Sequence, residues 1–173
     1  KNFFCVGVDP SKNITTLAKK KSINVINDYF DTKSANLILN KFSKFDYITA
    51  SNVFAHIDDI HSVIEASKIL LKENGYLVVE VHYLMNLLNL NQYDFFYHEH
   101  VNYYSIYSLK NLFEMHNFVI KKIKHTKMHG GSLRVYIQKK KGSRKSYKSN
   151  IKNLLNTEKK LNTHFFKNFK KNI

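Results

Sequence analysis

An open α/β domain on a mostly parallel sheet is the fold class this sequence predicts, and three observations lead to it. Short apolar runs alternate with stretches of helical periodicity as far as Val81. Several of those runs are closed by an acid or a small polar residue, as at Asp9 and Ser51. The later part of the chain turns to two apolar runs joined by a connection containing Gly130-Gly131. Strands alternating with helices argue for parallel pairing with right-handed crossovers, and in such sheets ligands bind beyond the carboxyl ends of the strands.

Taken in order, Phe3 to Val8 reads as a buried strand ending at Asp9, with Pro10 in the first turn of a helix that carries Ile14, Leu17 and Ala18 and closes on Lys19-Lys20-Lys21. Ile23 to Ile26 is a second strand, followed by Asn27-Asp28-Tyr29-Phe30 and a helix capped at Thr32 with Ala35, Leu37 and Ile38 on it. Phe45 to Ala50 is a third strand, and Ser51 to His56 its C-terminal loop. A long helix is expected next, with Ile57, Ile60, Val63, Ile64, Leu70 and Leu71 on one face, Asp58 and Asp59 at its positive end and Gly75 as its stop. Tyr76 to Val81 is the fourth strand. Ser105 caps a helix with Leu109, Leu112 and Phe113, and strands Phe118–Lys124 and Leu133–Gln138 flank a turn. Beyond the linker from Lys139 to Ser149, Ile151, Leu154, Leu155, Leu161, Phe165 and Phe169 describe an amphipathic helix. A single sheet domain offers it no surface, so it is expected to dock on a further domain or a partner.

Composition narrows the classes. A chain of 173 residues with 43% hydrophobic content is long enough for one domain with a real core. No apolar run approaches the roughly 20 residues that span a bilayer, and the first residues do not read as a signal peptide. The sequence opens without Met on a strand already in progress, which suggests a fragment. Cys5 is the only cysteine, so no intrachain disulfide or cysteine-cluster metal site is available here, and a reducing, cytoplasmic setting fits. The net charge of +15 comes almost entirely from Lys, with Arg134 and Arg144 the only arginines. Nucleic-acid readers favour Arg interleaved with aromatics, so nucleic acid is not the expected partner.

The densest chemistry lies in Tyr97-His98-Glu99-His100, within the aromatic run from Tyr93 to Tyr104. Such a stretch can place a base, an acid and a phenol in one partly desolvated pocket. Adjacent residues on a strand face opposite ways, so Glu99 and His100 share a site only if the segment is a turn. The competing reading is a polar edge strand or a loop with stacked aromatics. His98 and His100 two apart, with His56, also suggest metal ligands, but no cysteine or second carboxylate completes a set and no metal is assigned.

Four segments together resemble the class I S-adenosylmethionine-dependent methyltransferases, and among them the C-methyltransferases of nucleotide-linked keto-sugars: Ser51-Asn52-Val53-Phe54-Ala55-His56-Ile57-Asp58-Asp59, Val79-Glu80-Val81, Tyr97-His98-Glu99-His100 and His129-Gly130-Gly131-Ser132-Leu133-Arg134-Val135. The likeness covers about Phe3 to Gln138. It implies a Rossmann-like sheet, mostly parallel with an antiparallel last strand, whose first, glycine-rich strand is missing from this chain. It also implies an upstream cysteine-bound zinc domain and a C-terminal domain of the same protein. On that basis residues 1–140 are the catalytic domain, and residues 141–173 a linker and helix leading onward. His82 stands where the family often has proline.

Carbon must become an enolate before it attacks a sulfonium methyl, so the family chemistry needs a base beside a ketone and donors for the oxyanion. An imidazole titrates near neutrality, and a carboxylate beside it can fix its tautomer. The resemblance assigns His100 as base, Glu99 as its orienter or a sugar ligand, Tyr97 as proton donor or oxyanion partner, and His56 as second donor. It assigns Asp9 to the cofactor's ribose hydroxyls, Asp28 and Tyr29 to the adenine, and Ser51 and Asn52 to the sulfonium end. Glu80, His129 and Arg134 fall to the substrate. The expected partner is a small molecule, a nucleotide-linked sugar, with no membrane. Two other classes keep the fold: an O- or N-methyltransferase of another small molecule, and a non-catalytic basic interaction module using the Lys-rich tail.

Overall fold

The computed structural model describes residues 3–142 and 149–169, with side chains for 3–142 and 150–160. They form two compact units, residues 1–44 with 61–70, and residues 45–60 with 71–173.

In the first unit β1 (Val6–Val8) pairs in parallel with β2 (Asn24–Ile26), and the pairing ends where the Asp9 N–H donates to the Ile26 carbonyl at 3.1 Å. The strand is shorter than the apolar run. Its partner offers only three residues, so Phe3 and Phe4 are 82% and 63% exposed and Cys5 lies outside the strand, also exposed. Helix α1 (Lys12–Lys20) is capped by Ser11, which leaves Pro10 before the cap instead of in the first turn. Thr15 is its buried residue, with its hydroxyl donating back to the Ser11 and Lys12 carbonyls, while Ile14 and Leu17 are more than half exposed. Helix α2 (Thr32–Lys41) is capped by Asp31 rather than Thr32. The Asp31 carboxylate accepts the Ser34 N–H at 2.7 Å, and the Ser34 hydroxyl accepts the Asp31 N–H in return. Ala35 and Ile38 face inward as expected, but Leu37 does not.

Helix α3 (Ile60–Leu70) is shorter than predicted at both ends. Phe54–His56 form a 3₁₀ turn, the chain is extended at Ile57, and Asp58 and Asp59 therefore precede the helix. At the other end Leu71 already pairs with Phe45, so Gly75 sits within a strand and stops no helix. Any side chain there would come within 3.0 Å of the Phe45 and Asp46 carbonyl oxygens.

The second unit holds a four-stranded sheet in the order β3 (Phe45–Ser51), β4 (Leu71–His82), β6 (Ser132–Lys139), β5 (Phe118–Thr126). β3 is parallel to β4, and β6 runs antiparallel to both β4 and β5. The predicted antiparallel last strand is thus present. Leu77, Val79 and Val81 on β4 and Leu133, Val135 and Ile137 on β6 are at most 2% exposed and form the core of this unit. Between β4 and β5 lie α4 (Leu84–Asn89), which the sequence reading did not foresee, and α5 (Ile106–Met115), capped at Ser105 as predicted.

The C-terminal helix α6 (Ser149–Phe169) finds its partner inside this unit, which corrects the expectation that it has none. Glu158, 3% exposed, accepts the N–H groups of Ile106 at 2.6 Å and Tyr107 at 2.9 Å. Ser105 accepts the next N–H, that of Ser108, so the opening donors of α5 are all satisfied. A carboxylate at the positive end of a helix is favourable in itself. Ile151 is fully buried. The side chains of Leu161, His164, Phe165 and Phe169, and most of the linker, lie outside the described residues.

Candidate active site

The stretch from Tyr97 to His100 is a tight turn, closed by the His100 N–H on the Tyr97 carbonyl at 3.0 Å. A turn brings its first and last residues together and points the two between them outward. Tyr97 and His100 accordingly meet, with ring centroids 4.3 Å apart, while His98 and Glu99 are exposed at the tip. His100 is 7% exposed. Its Nδ1 lies 2.9 Å from the Phe95 carbonyl oxygen, and its Nε2 3.1 Å from the Tyr97 hydroxyl. A carbonyl only accepts, so the proton is on Nδ1 and Nε2 presents its lone pair to the phenol. The group that orients His100 is the main chain of Phe95, which also accepts the Tyr103 hydroxyl at 3.2 Å. The Glu99 carboxylate does not line the site.

Glu99 contributes through its main chain. His56 Nδ1 donates to the Glu99 carbonyl oxygen at 3.0 Å, which fixes the same tautomer on His56 and leaves its Nε2 an acceptor. Around it the segment after the turn is laid along the loop from Phe54 to Ile57. The N–H groups of Val101 and Asn102 both reach the Ala55 carbonyl, the Asn102 amide donates to Ile57 at 2.7 Å, and the Tyr104 hydroxyl to Phe54 at 3.0 Å. These bonds set the His56 and His100 rings 4.8 Å apart. Burial pushes the Tyr104 phenol well above its ordinary pKa and raises that of Tyr103 as well.

Both rings open on a cavity of about 230 Å³, lined also by Asn52, Ala55, Glu80, Val81, His82, Asp94, Phe95, Tyr97 and His129. Asn52 adopts positive φ at the end of β3, and its amide nitrogen lies 3.1 Å from His129 Nε2. Its Oδ1 is buried with no hydrogen-bond partner among the described residues. His129 is itself at φ 49°, two residues before Gly131 at φ 118°, where a Cβ would collide with the Asn86 amide. Glu80 is 3% exposed and spoken for: Arg134, its cross-strand neighbour on β6, donates from Nε at 2.6 Å, and Thr126 donates at 3.4 Å. Arg134 thus reaches the site through Glu80.

His82, Asp94 and Phe95 line the cavity although the sequence reading gave them no role. The His82 ring sits 5.3 Å from both His100 and His129 and packs edge-on against Phe95 at 4.7 Å. Burial, and then the neighbouring His100, His129 and His56, lower its pKa to about 4. A signal existed: Glu80 and His82 are two apart on one strand and so share a face. Four imidazoles converge here, yet no group of three His, Cys, Asp or Glu side chains among the described residues is arranged to hold a metal.

The residues expected to hold the cofactor fall in both units. Asp9 follows β1 and accepts the Ser11 N–H on Oδ1 at 2.8 Å; Asp28 accepts the Tyr29 N–H at 2.9 Å, and the Tyr29 ring is 71% exposed. Ser51 and Asn52 close β3 in the second unit. In the first unit the exposed Tyr29 ring beside the Asp28 carboxylate suits a nucleoside; in the second, taken by itself, the partnerless Asn52 oxygen suits a hydrogen-bond donor.

A family model described as Methyltransferase domain matches residues 1–123. The chain belongs to the methyltransferase family. A second model, described as C-methyltransferase C-terminal domain, matches residues 127–173 of this methyltransferase. The C-methyltransferase NovU of Streptomyces niveus is 36% identical over 131 residues, which is 76% of this chain and 31% of that protein. The chain therefore spans about a third of the length of the curated relative it matches. Among solved structures, a SAM-dependent methyltransferase of Thermotoga maritima, a possible histamine N-methyltransferase, aligns with a TM-score of 0.58 at 18% identity, over 79% of this chain and 72% of its own. The magnesium protoporphyrin IX methyltransferase of Synechocystis, with SAH bound, gives 0.57 at 14% identity, over 79% and 64%. At such identities these two establish the methyltransferase fold. S-adenosylmethionine is the cofactor of the family, and no helix among the described residues is long and apolar enough to cross a membrane.

Proposed function

We propose that this methyltransferase transfers a methyl group to an enolate carbon of a nucleotide-linked keto-sugar, with His100 as the base. The observation that carries the reading is the buried His100 ring, its Nδ1–H fixed on Phe95 and its Nε2 lone pair facing the Tyr97 hydroxyl on the wall of a cavity. A neutral imidazole in a locked tautomer is a ready proton acceptor. The likeness to a C-methyltransferase supports carbon as the nucleophile. S-adenosylmethionine, when bound, supplies an electrophilic sulfonium methyl. Asp9, Asp28, Tyr29, Ser51 and Asn52 would hold it, and the protein's own task is then to make the nucleophile.

In this reading the Tyr97 hydroxyl turns from Nε2 to the ketone oxygen when substrate enters, which frees the base and supplies a donor for the oxyanion. His56, assigned as second donor by the resemblance, spends its Nδ1 proton on the Glu99 carbonyl, so in this reading its Nε2 instead accepts a sugar hydroxyl, and the exposed Glu99 meets the outer part of the substrate. His129 and the Glu80–Arg134 pair shape the substrate wall. Residues 1–140 form the catalytic part, and residues 141–173 lead towards a C-terminal domain of the same protein, in a reducing cytoplasmic setting. The test is transfer from ¹³C-methyl-labelled S-adenosylmethionine to a nucleoside-diphosphate-linked 4-ketohexose by the full-length protein. A carbon-bound methyl in the product spectrum is expected; an oxygen- or nitrogen-bound methyl would overturn the reading.

A further inference from the structure

The cavity contains one imidazole that keeps a buried ring nitrogen without a partner among the described residues. His56 and His100 each spend their Nδ1 proton on a main-chain carbonyl, so in the neutral form neither has a second N–H to offer a ligand. The Asn52 amide donates to His129 Nε2, so His129 carries its proton on Nδ1. His82 Nε2 is buried without a partner among the described residues, although the ring lines the cavity between His100 and His129. A buried polar nitrogen without a partner is costly, and a site that keeps one commonly has a ligand atom to meet it.

We propose that His82 is a further catalytic residue, which donates a hydrogen bond from its neutral imidazole to the oxygen of the substrate ketone as that oxygen takes on negative charge. The inference rests on the enolate reading given above and deepens it. In the step concerned, the C–H bond next to the ketone breaks and its proton passes to His100 Nε2. The electron pair forms the carbon–carbon double bond, and the carbonyl π pair moves onto oxygen. His82 keeps its own proton throughout. Burial and the surrounding histidines hold it neutral across the working pH range, so it always carries one N–H, and no bond to Nε2 dictates the tautomer. A neutral imidazole is also the better choice beside a histidine base, because a second imidazolium would oppose the charge that His100 acquires. Asp94, at the rim of the same cavity, opposes an oxyanion and leaves the donor's part to His82 and Tyr97.

The experiment measures exchange of the ketone-adjacent proton with deuterated solvent, using full-length protein, S-adenosylhomocysteine and a nucleoside-diphosphate-linked 4-ketohexose. His82→Phe is expected to slow exchange by about 10²–10³-fold, the usual consequence of deleting an oxyanion donor, and His82→Gln, which retains an N–H, by about tenfold. Affinity for S-adenosylhomocysteine, read by calorimetry, stays within twofold in both and certifies the fold. Wild-type exchange in His82→Phe, with exchange abolished in His100→Asn, would make His82 a wall residue and leave the enolate reading standing. Absence of exchange in the wild-type protein would overturn both. Should His82→Phe fail to fold, an equal loss in His82→Gln and His82→Ala would count against the donor role, and a loss confined to Ala would support it.

Discussion

At the scale of single residues, the site depends on which nitrogen carries a proton. His100→Asn removes the lone pair that faces Tyr97, so methyl transfer should fall by about 10²–10⁴-fold, the usual worth of a general base, with cofactor affinity almost unchanged. Single-turnover transfer and calorimetry on the same variant check both halves; retention of transfer would move the base to His56. Asp9→Ala should weaken cofactor binding by about 1–3 kcal/mol, the scale of hydrogen bonds to a charged group, and unchanged affinity in calorimetry would remove it from the ribose. The residue types were legible before the geometry was. Tyr97-His98-Glu99-His100 announced a phenol and an imidazole, and the need for a turn followed from strand alternation. The sequence did not reveal that the turn would separate the neighbours Glu99 and His100 and unite Tyr97 with His100. It also did not reveal that the orienting acceptor would be the main chain of Phe95, because every residue has a carbonyl and only the fold selects one.

At the scale of elements, alternating strands and helices were readable because burial imposes periodicity: β3, β6 and α5 lie where the pattern put them, and β4 contains its predicted stretch but begins five residues earlier. Boundaries failed where a neighbour decided them: β1 stops with its three-residue partner, and α3 yields to β4 as soon as Leu71 can pair with Phe45. The docking of α6 was illegible for a different reason. It turns on one carboxylate, Glu158, reaching N–H groups some fifty positions earlier in the chain, and no local pattern encodes that. Glu158→Ala should therefore cost about 1–3 kcal/mol of unfolding free energy, because two buried donors lose a charged acceptor, and Glu158→Gln less. Urea denaturation of both variants checks this; wild-type stability in the Ala variant would show that water replaces the carboxylate. Near the site, Gly131→Ala should disturb both the φ of 118° and the packing on Asn86. Its expected mark is lost transfer activity with a milder loss of stability, measured on the same preparation.

At the scale of the whole molecule, the histidine-lined cavity ties stability to acidity. His82 titrates at about 4 in the folded chain, against about 6.5 for a free imidazole. Above pH 6.5 it is neutral in both states and the shift has no effect. As pH falls from 6.5 towards 4 the unfolded chain takes up a proton that the folded chain refuses, so stability declines across that window and this contribution levels off below it. The ceiling is about 3 kcal/mol and solvent at the cavity mouth reduces it. Urea midpoints at pH 7.5 and 5.0 should therefore lie further apart in the wild type than in His82→Phe; equal separations would place the acid sensitivity elsewhere. The link between α5 and α6 has a consequence in time. During translation the Tyr97–His100 turn emerges together with the start of α5, but the carboxylate that satisfies the first two donors of α5 follows only after another fifty or so residues. At ribosomal speeds of about 5–20 residues per second that is an interval of roughly 3–10 seconds. Throughout it the nascent chain already contains every cavity-lining residue except His129, which arrives during the interval, while the helix just beyond the turn still lacks its second cap. Full capping of α5 therefore waits for the emergence of residue 158.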